Sequence, residues 1–101
     1  NNDSMAIGAI EALQTYGYNK GDKSKNIIVV GIDRTQEAKD LIDKGFMTGT
    51  VGHEPHALAE ALYTIGINLF SDNNPLEGTN YKIEDNGVEV QIPSEEYKKS
   101  L

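Results

Sequence analysis

The sequence contains no cysteine among its 101 residues. It therefore excludes a disulfide framework, a zinc ribbon and a thiol nucleophile. Basic residues are also scarce, because nine Lys and Arg stand against 16 Asp and Glu, which gives a formal net charge of −7. Nucleic acid binding needs clustered Lys and Arg, and an anionic membrane surface attracts the same residues. We therefore expect neither as a partner.

Long apolar runs are absent as well. The longest, residues 26–32, has the length of a strand and falls far short of the roughly 18 apolar residues of a membrane-spanning helix. The first residues, Asn1-Asn2-Asp3, do not resemble the basic and then apolar start of a leader peptide. This start predicts either a cytosolic protein or a segment of a longer chain.

The hydropathy pattern alternates between helical and extended periods. Helices are predicted where apolar residues recur every three to four positions, and strands where β-branched residues run together or alternate with polar ones. An Asn-Gly pair between alternating runs predicts a hairpin. The predicted elements are helix 4–16, strand 26–32 (buried on both faces), helix 35–44, strand 48–51, a helix from Pro55 to Ser71, a hairpin over 81–92 and a helical turn within 94–100.

This order predicts an α/β protein with a parallel sheet and right-handed crossovers. Two parallel strands cannot bury three apolar helices, and no strand precedes the first helix. We therefore expect the chain to be a fragment of a larger fold.

Four polar residues follow predicted strands or precede the first helix. Ligands of open α/β sheets bind beyond the carboxyl ends of the strands, where Asp33 and His53 are expected, and Asn2 with Asp3 stands where a preceding strand would end. Their short polar side chains suit a hydroxylated ligand. Each also has a plainer interpretation. Asp3 or Ser4 can cap the first helix, and Asp33 can cap the second together with Gln36. His53 can be an ordinary polar residue of a loop.

Catalytic motifs are not found. The sequence has neither a Gly-x-Ser-x-Gly elbow nor a His-Glu-x-x-His motif. His53-Glu54-Pro55-His56 echoes a metal site only superficially, because Pro55 starts a helix between the histidines. We expect no catalytic residue, no metal ligand and no enzymatic activity.

Four segments resemble the type I periplasmic sugar-binding proteins, and most closely the galactose/glucose-binding group that serves methyl-galactoside ABC uptake systems. The start of the first segment is shared with ribose binders and with LacI-type repressor cores, whereas the doubled Asn and the last segment are more specific. The segments are NNDSMAIGA at 1–9, VGID at 30–33, GTV at 49–51 and EGTNYKI at 77–83.

The resemblance implies a Rossmann-like fold of two lobes, each a three-layer αβα sandwich with a parallel sheet, joined by crossing strands. Residues 1–53 would belong to the C-terminal lobe, and residues 54–83 would pack on the N-terminal lobe. Residues 84–101 would include a crossing strand and the return to the C-terminal lobe. The sugar would close the hinge by binding both lobes.

The resemblance also implies a ligand set. Asn2 and Asp33 match family residues that hydrogen-bond sugar hydroxyls, whereas His53 stands where the galactose/glucose group usually has another Asn, so the preferred sugar can differ. The family's stacking aromatic residues are not matched, because the chain has no Trp and its Tyr and Phe fall elsewhere. We expect no cofactor in this segment, and the Ca²⁺ loop of some members would lie outside it.

The implied function is that of a non-enzymatic solute-binding component of an ABC sugar-uptake system, which binds a monosaccharide such as galactose or glucose. Its partners would be the sugar, the transporter permease and the missing N-terminal part of the same protein. It would act in the periplasm or on the outer face of the membrane, with a lipid anchor as a variant. The alternative is the effector-binding domain of a LacI-type transcription regulator; the residues flanking the strand, Lys25-Asn26 and Asp33-Arg34, favour the binding protein.

Two further classes are weaker. A small flavodoxin-like or nucleoside-hydrolase-like enzyme would need a phosphate loop or an Asp-rich cluster, and the sequence has neither. A structural fragment without a ligand site is the remaining interpretation.

Overall fold

The computed structural model describes residues 2–87 and 89–99. Contacts divide the chain into two compact units, Asn1–Gly52 with Glu95–Leu101 and His53–Ser94. The elements in chain order are helix α1 (Asp3–Thr15), a 3₁₀ turn (Lys23–Lys25), strand β1 (Val30–Ile32), helix α2 (Gln36–Asp43), strand β2 (Gly49–Gly52), helix α3 (Pro55–Phe70) and strand β3 (Glu95–Lys98).

The first unit contains a mixed three-stranded sheet in the order β1-β2-β3. β1 and β2 are parallel, with Gly31 opposite Thr50, and β3 joins β2 in antiparallel orientation, with Tyr97 opposite Thr50. The α/β class is thereby confirmed. The helical turn predicted within residues 94–100 is wrong, because pairing with β2 and packing of Tyr97 against the core outweigh the local helical preference.

One face of this sheet carries the core of the unit. α1 packs on β1, and α2 packs on β2 and β3. Both helices contribute small or branched apolar residues, which pack closely against Met47 beneath them. The buried cluster consists of Ala6, Ile10, Ala38, Ile42 and Met47.

β1 is shorter and more exposed than its sequence predicts. The ladder begins at Val30 rather than at residue 26, since the backbone N–H of Ile27 instead donates to Asn19 Oδ1 at 2.9 Å. Val30 is 65% and Ile32 49% exposed, whereas Gly31 between them is buried. The prediction of burial on both faces is therefore wrong for this chain, because α1 and α2 both cover the same face.

The second unit is built on α3. Glu54 caps this helix by accepting from the backbone N–H groups of His56 and Ala57, and Pro55 occupies the first turn, as the sequence predicts. Beyond the helix, Ile83 and Val90 form an antiparallel bridge, which confirms a hairpin centred on Asn86-Gly87. Val88, which the sequence places in this hairpin, lies outside the described residues. In the described part of the chain, none of the helices combines the length and the apolar character needed to cross a membrane.

Candidate functional site

Asn2 is the N-cap of α1. Its side-chain Oδ1 accepts a hydrogen bond from the backbone N–H of Met5 at 2.9 Å. The expectation that Asp3 or Ser4 caps this helix is therefore wrong by one or two residues. Because capping uses only the carbonyl oxygen of the amide, the Nδ2 group of Asn2 keeps the chemistry of a donor toward a ligand.

Asp3 is a buried side chain, although sequence analysis treated it as a cap. It is 0% exposed. Its Oδ1 accepts from the Thr50 hydroxyl at 2.6 Å, and its Oδ2 accepts from the backbone N–H of Thr35 at 2.8 Å. These two bonds tie the start of α1 to β2 and to the loop between β1 and α2.

Asp33 lies directly after β1, as the sequence predicts, and is exposed. Its backbone N–H donates to the carbonyl of Val51 at 2.7 Å. Asp33 does not cap α2. The cap is Thr35, whose Oγ1 accepts from the N–H of Ala38 at 3.2 Å, so the carboxylate of Asp33 is not used in that role.

Gln36 does not reach back to complete a capping box with Asp33. Its Nε2 donates instead to Asp40 Oδ1 one turn further along α2, at 2.9 Å. Because Gln36 pairs with Asp40 on the exposed side of the helix, the prediction that it completes a capping box with Asp33 is also wrong.

The backbone at Asp33 and Arg34 is held in an uncommon conformation. The φ angles are 122° and 60°, in the region that non-glycine residues rarely adopt. Gly52 packs directly on this turn, since a Cβ atom at Gly52 would lie 3.0 Å from the Cα of Asp33. Tight packing of this kind is what holds such a conformation in place.

Arg34 connects the same turn to β3, a role that the sequence did not predict for this strand-flanking residue. Its Nη1 lies 3.0 Å from Glu95 Oε2, and its side chain is only 13% exposed. Its backbone N–H donates to Thr50 Oγ1 at 3.2 Å. Arg34 thus connects the loop that carries Asp33 to the first residue of β3.

His53 begins the second unit. Its ring Nδ1 lies 3.2 Å from the carbonyl oxygen of Pro93, within that unit. A carbonyl can only accept, so Nδ1 carries the proton, and in the neutral ring Nε2 is left as an acceptor. His53 is exposed, so this nitrogen is open to chemistry with a ligand.

The structure brings together the segments that carry Asn2 and Asp33. Asp3, which follows Asn2, accepts a hydrogen bond of 2.8 Å from the backbone N–H of Thr35, two residues after Asp33. His53 follows β2 in the chain but belongs to the other unit. Within residues 2–87 and 89–99, His, Asp and Glu side chains form no group of three that could hold a metal ion.

The arrangement at the end of β1 suits hydrogen bonding to a neutral polar ligand. Asn2 offers an amide donor, and Asp33 offers a carboxylate that accepts. Asp3 and Thr50 are buried and accept hydrogen bonds from backbone N–H groups of the loop, whereas the Arg34 side chain pairs with Glu95. The sequence did not predict the supporting roles of Asp3, Arg34 and Thr50. One signal for Asp3 was present: Asn2 and Asp3 can both cap a helix, but a helix uses a single N-cap, so the other residue is left for a different role.

Comparison with known proteins identifies the family of this chain. Residues 1–74 match the model of the periplasmic binding protein domain. The chain is 33% identical over 90 residues to the D-galactose/methyl-galactoside binding periplasmic protein MglB of Haemophilus influenzae, covering 89% of this chain and 25% of that protein. It is 37% identical over 54 residues to the D-allose-binding periplasmic protein of Escherichia coli, covering 54% of this chain and 16% of that protein.

The chain therefore spans a quarter or less of the length of these two relatives. The domain match covers most of the chain and includes β1, β2 and the three residues Asn2, Asp33 and His53. This chain belongs to the periplasmic binding protein family.

Proposed function

We propose that this chain is part of the solute-binding component of an ABC sugar-uptake system and contributes to the binding of a monosaccharide such as galactose or glucose. The observation that carries the proposal is the joint placement of an amide donor at Asn2 and a carboxylate acceptor at Asp33, linked through the Asp3–Thr35 hydrogen bond. Two relatives named for binding D-galactose, methyl-galactoside and D-allose support a sugar as the ligand.

The two side chains are chemically complementary to one hydroxyl group. A sugar hydroxyl both donates and accepts, so it can donate to Asp33 and accept from Asn2 Nδ2. The bond to the carboxylate is charge-assisted and therefore stronger than one between neutral groups. Because the backbone of Asp33 is held by its bond to Val51, sugar binding would need to order only the side chain of this residue.

His53 is the proposed third contact. With Nδ1 donating to Pro93, its neutral ring offers a sugar only the acceptor Nε2, whereas an Asn amide would offer both a donor and an acceptor. The galactose/glucose group, by resemblance, usually has Asn here. We therefore propose that His53 sets a sugar preference that differs from that group.

The proposal for the whole protein follows the family. It is binding without catalysis, in the periplasm or at the outer face of the membrane, with delivery to a transporter permease. Residues 1–53 would form part of the C-terminal lobe, residues 54–83 would pack on the N-terminal lobe, and residues 84–101 would include a crossing strand. No cofactor is proposed for this segment.

The test is titration calorimetry of the complete protein with D-galactose, D-glucose and D-ribose, repeated for Asp33→Asn. We expect one hexose to bind tightly and the variant to lose about 1–1.5 kcal/mol of binding free energy, because a charge-assisted bond becomes a neutral one. Asp22→Asn is the matched control, since Asp22 is an exposed aspartate that caps the 3₁₀ turn before β1. A folded wild-type protein that gives no heat with any sugar, or an Asp33 variant that binds as well as the Asp22 control, would refute the proposal.

A further inference from the structure

A buried carboxylate–hydroxyl pair lies beneath the proposed ligand edge. Asp3 is 0% and Thr50 1% exposed, and the Thr50 hydroxyl donates to Asp3 Oδ1 at 2.6 Å. Thr50 lies in the middle strand of the sheet, between Gly31 on β1 and Tyr97 on β3. A carboxyl group buried this deeply is tolerated only when its oxygens are hydrogen-bonded, so the bonds that Asp3 makes are a structural requirement.

The same two side chains bind consecutive backbone groups of the loop after β1. Thr50 Oγ1 accepts from the N–H of Arg34 at 3.2 Å, and Asp3 Oδ2 accepts from the N–H of Thr35 at 2.8 Å. The pair therefore holds the loop at two adjacent peptide groups, immediately after Asp33.

The loop has a conformation that needs such support. Asp33 and Arg34 have φ angles of 122° and 60°, and two successive non-glycine residues in that region are unfavourable without tertiary restraint. Gly31 makes room for the pair, because a Cβ atom there would collide with the carboxylate of Asp3. Gly31, Asp3 and Thr50 thus form one packed arrangement under the turn.

We propose that Asp3 and Thr50 are positioning residues of the ligand site: their buried hydrogen bond fixes the backbone of residues 33–35 and so presents the Asp33 carboxylate to the ligand. This inference rests on the proposed sugar-binding function. Neither side chain is available to touch a ligand, since both are buried. Their effect on affinity therefore passes through the backbone of Asp33.

The test uses the complete protein and the sugar that its wild-type form binds among D-galactose, D-glucose and D-ribose. Thr50→Val keeps the shape and removes the hydroxyl, whereas Thr50→Ser keeps the hydroxyl. Thr48→Val is the matched control, because Thr48 lies just before the start of β2 and its hydroxyl accepts from the backbone N–H of Val29 at 3.2 Å. Calorimetric Kd values are measured well below the melting temperature of every variant, which is recorded alongside.

We expect Thr50→Val to weaken sugar binding by about tenfold or more, since the N–H of Arg34 loses its acceptor and the turn relaxes. Thr50→Ser restores binding to within about threefold of wild type, and Thr48→Val leaves the Kd within about twofold. Rescue by serine distinguishes positioning from simple loss of volume.

The opposite pattern overturns the inference. If Thr50→Val lowers the melting temperature while its Kd stays within about twofold of wild type, the pair only stabilises the fold. If Thr50→Val does not fold, the Kd of Asp3→Asn tests the proposal instead. The amide of this variant cannot accept from both the Thr35 N–H and the Thr50 hydroxyl, so an unchanged Kd contradicts the proposal. A wild-type protein that binds none of the sugars refutes the proposed function itself, and this role with it.

Discussion

Gly31→Ala is the substitution whose effect follows most directly from the packing under the ligand edge. An added Cβ atom would collide with Asp3 Oδ1, and it would lie 2.8 Å from Met47 Cε and 3.2 Å from the Cα of Asp3. Met47 is flexible and can move away. Asp3 cannot, because its Cα belongs to the first turn of α1 and its carboxylate is bound to two donors.

The expected cost combines two destabilising effects and one that opposes them. Inserting a methyl group into a packed site costs about 1–3 kcal/mol. Displacing the carboxylate from a buried donor adds about 1–3 kcal/mol, and the lower entropy of the unfolded alanine chain returns about 0.4–1 kcal/mol. We therefore expect Gly31→Ala to lower the free energy of unfolding by about 3 kcal/mol. Urea unfolding of the complete protein, followed by circular dichroism, measures this change.

Gly8→Ala is the matched control. Gly8 lies on the exposed side of α1, and a Cβ atom there would meet nothing within 4 Å. Alanine in place of glycine inside a helix should stabilise by about 0.5–1 kcal/mol. The same chemical change is thus expected to have opposite signs at the two positions. A Gly31→Ala protein as stable as wild type would show that Asp3 is not fixed as described.

Three further predictions test other parts of the structure. Asn19→Asp should destabilise by about 2–4 kcal/mol, because the fully buried Asn19 Nδ2 donates to two backbone carbonyls that an acceptor oxygen would repel; urea unfolding checks it, and a loss below that of the exposed-site control Asn86→Asp would contradict it. His53→Asn should change the ratio of galactose to glucose affinity measured by calorimetry, and an unchanged ratio would remove His53 from the specificity position. The hydrogen bond from the Tyr97 hydroxyl to Asp43 raises the pKa of Tyr97 above 10.0. Because a raised pKa means that the folded state holds the proton more tightly, this bond stabilises below pH 10 and is lost as the pH rises through the folded-state pKa. Asp43→Asn should return the pKa toward 10.0, measured by phenolate absorbance against Tyr97→Phe as a blank, and an unshifted titration would contradict the assignment.

The helices were predictable because their signals are local. Pro55 marks the start of α3, and the helical spacing of apolar residues after Thr35 marks α2, within one or two residues of the observed ends. The placement of Asp33 at the end of β1 was also predictable, since a β-branched run stops there. Its role in ligand binding, with those of Asn2 and His53, stays a prediction.

What could not be predicted depends on distant partners. Asp3 looks like a cap in sequence, yet its partner Thr50 lies 47 residues away. β3 has three charged residues in four and no strand pattern, and only the free edge of β2 makes it a strand. Charged edge strands of this kind are common because they discourage further pairing. The exposed face of β1 likewise reflects which helices pack on the sheet rather than the composition of the strand itself.

A crystal structure of the complete protein with the hexose that it binds most tightly tests the central claim most directly. The account predicts a sugar hydroxyl within about 2.5–3.2 Å of both an Asp33 carboxylate oxygen and Asn2 Nδ2, donating to the first and accepting from the second. The turn at residues 33–35 should keep its hydrogen bonds to Asp3 and Thr50. A well-defined sugar that contacts neither Asp33 nor Asn2 would contradict the account.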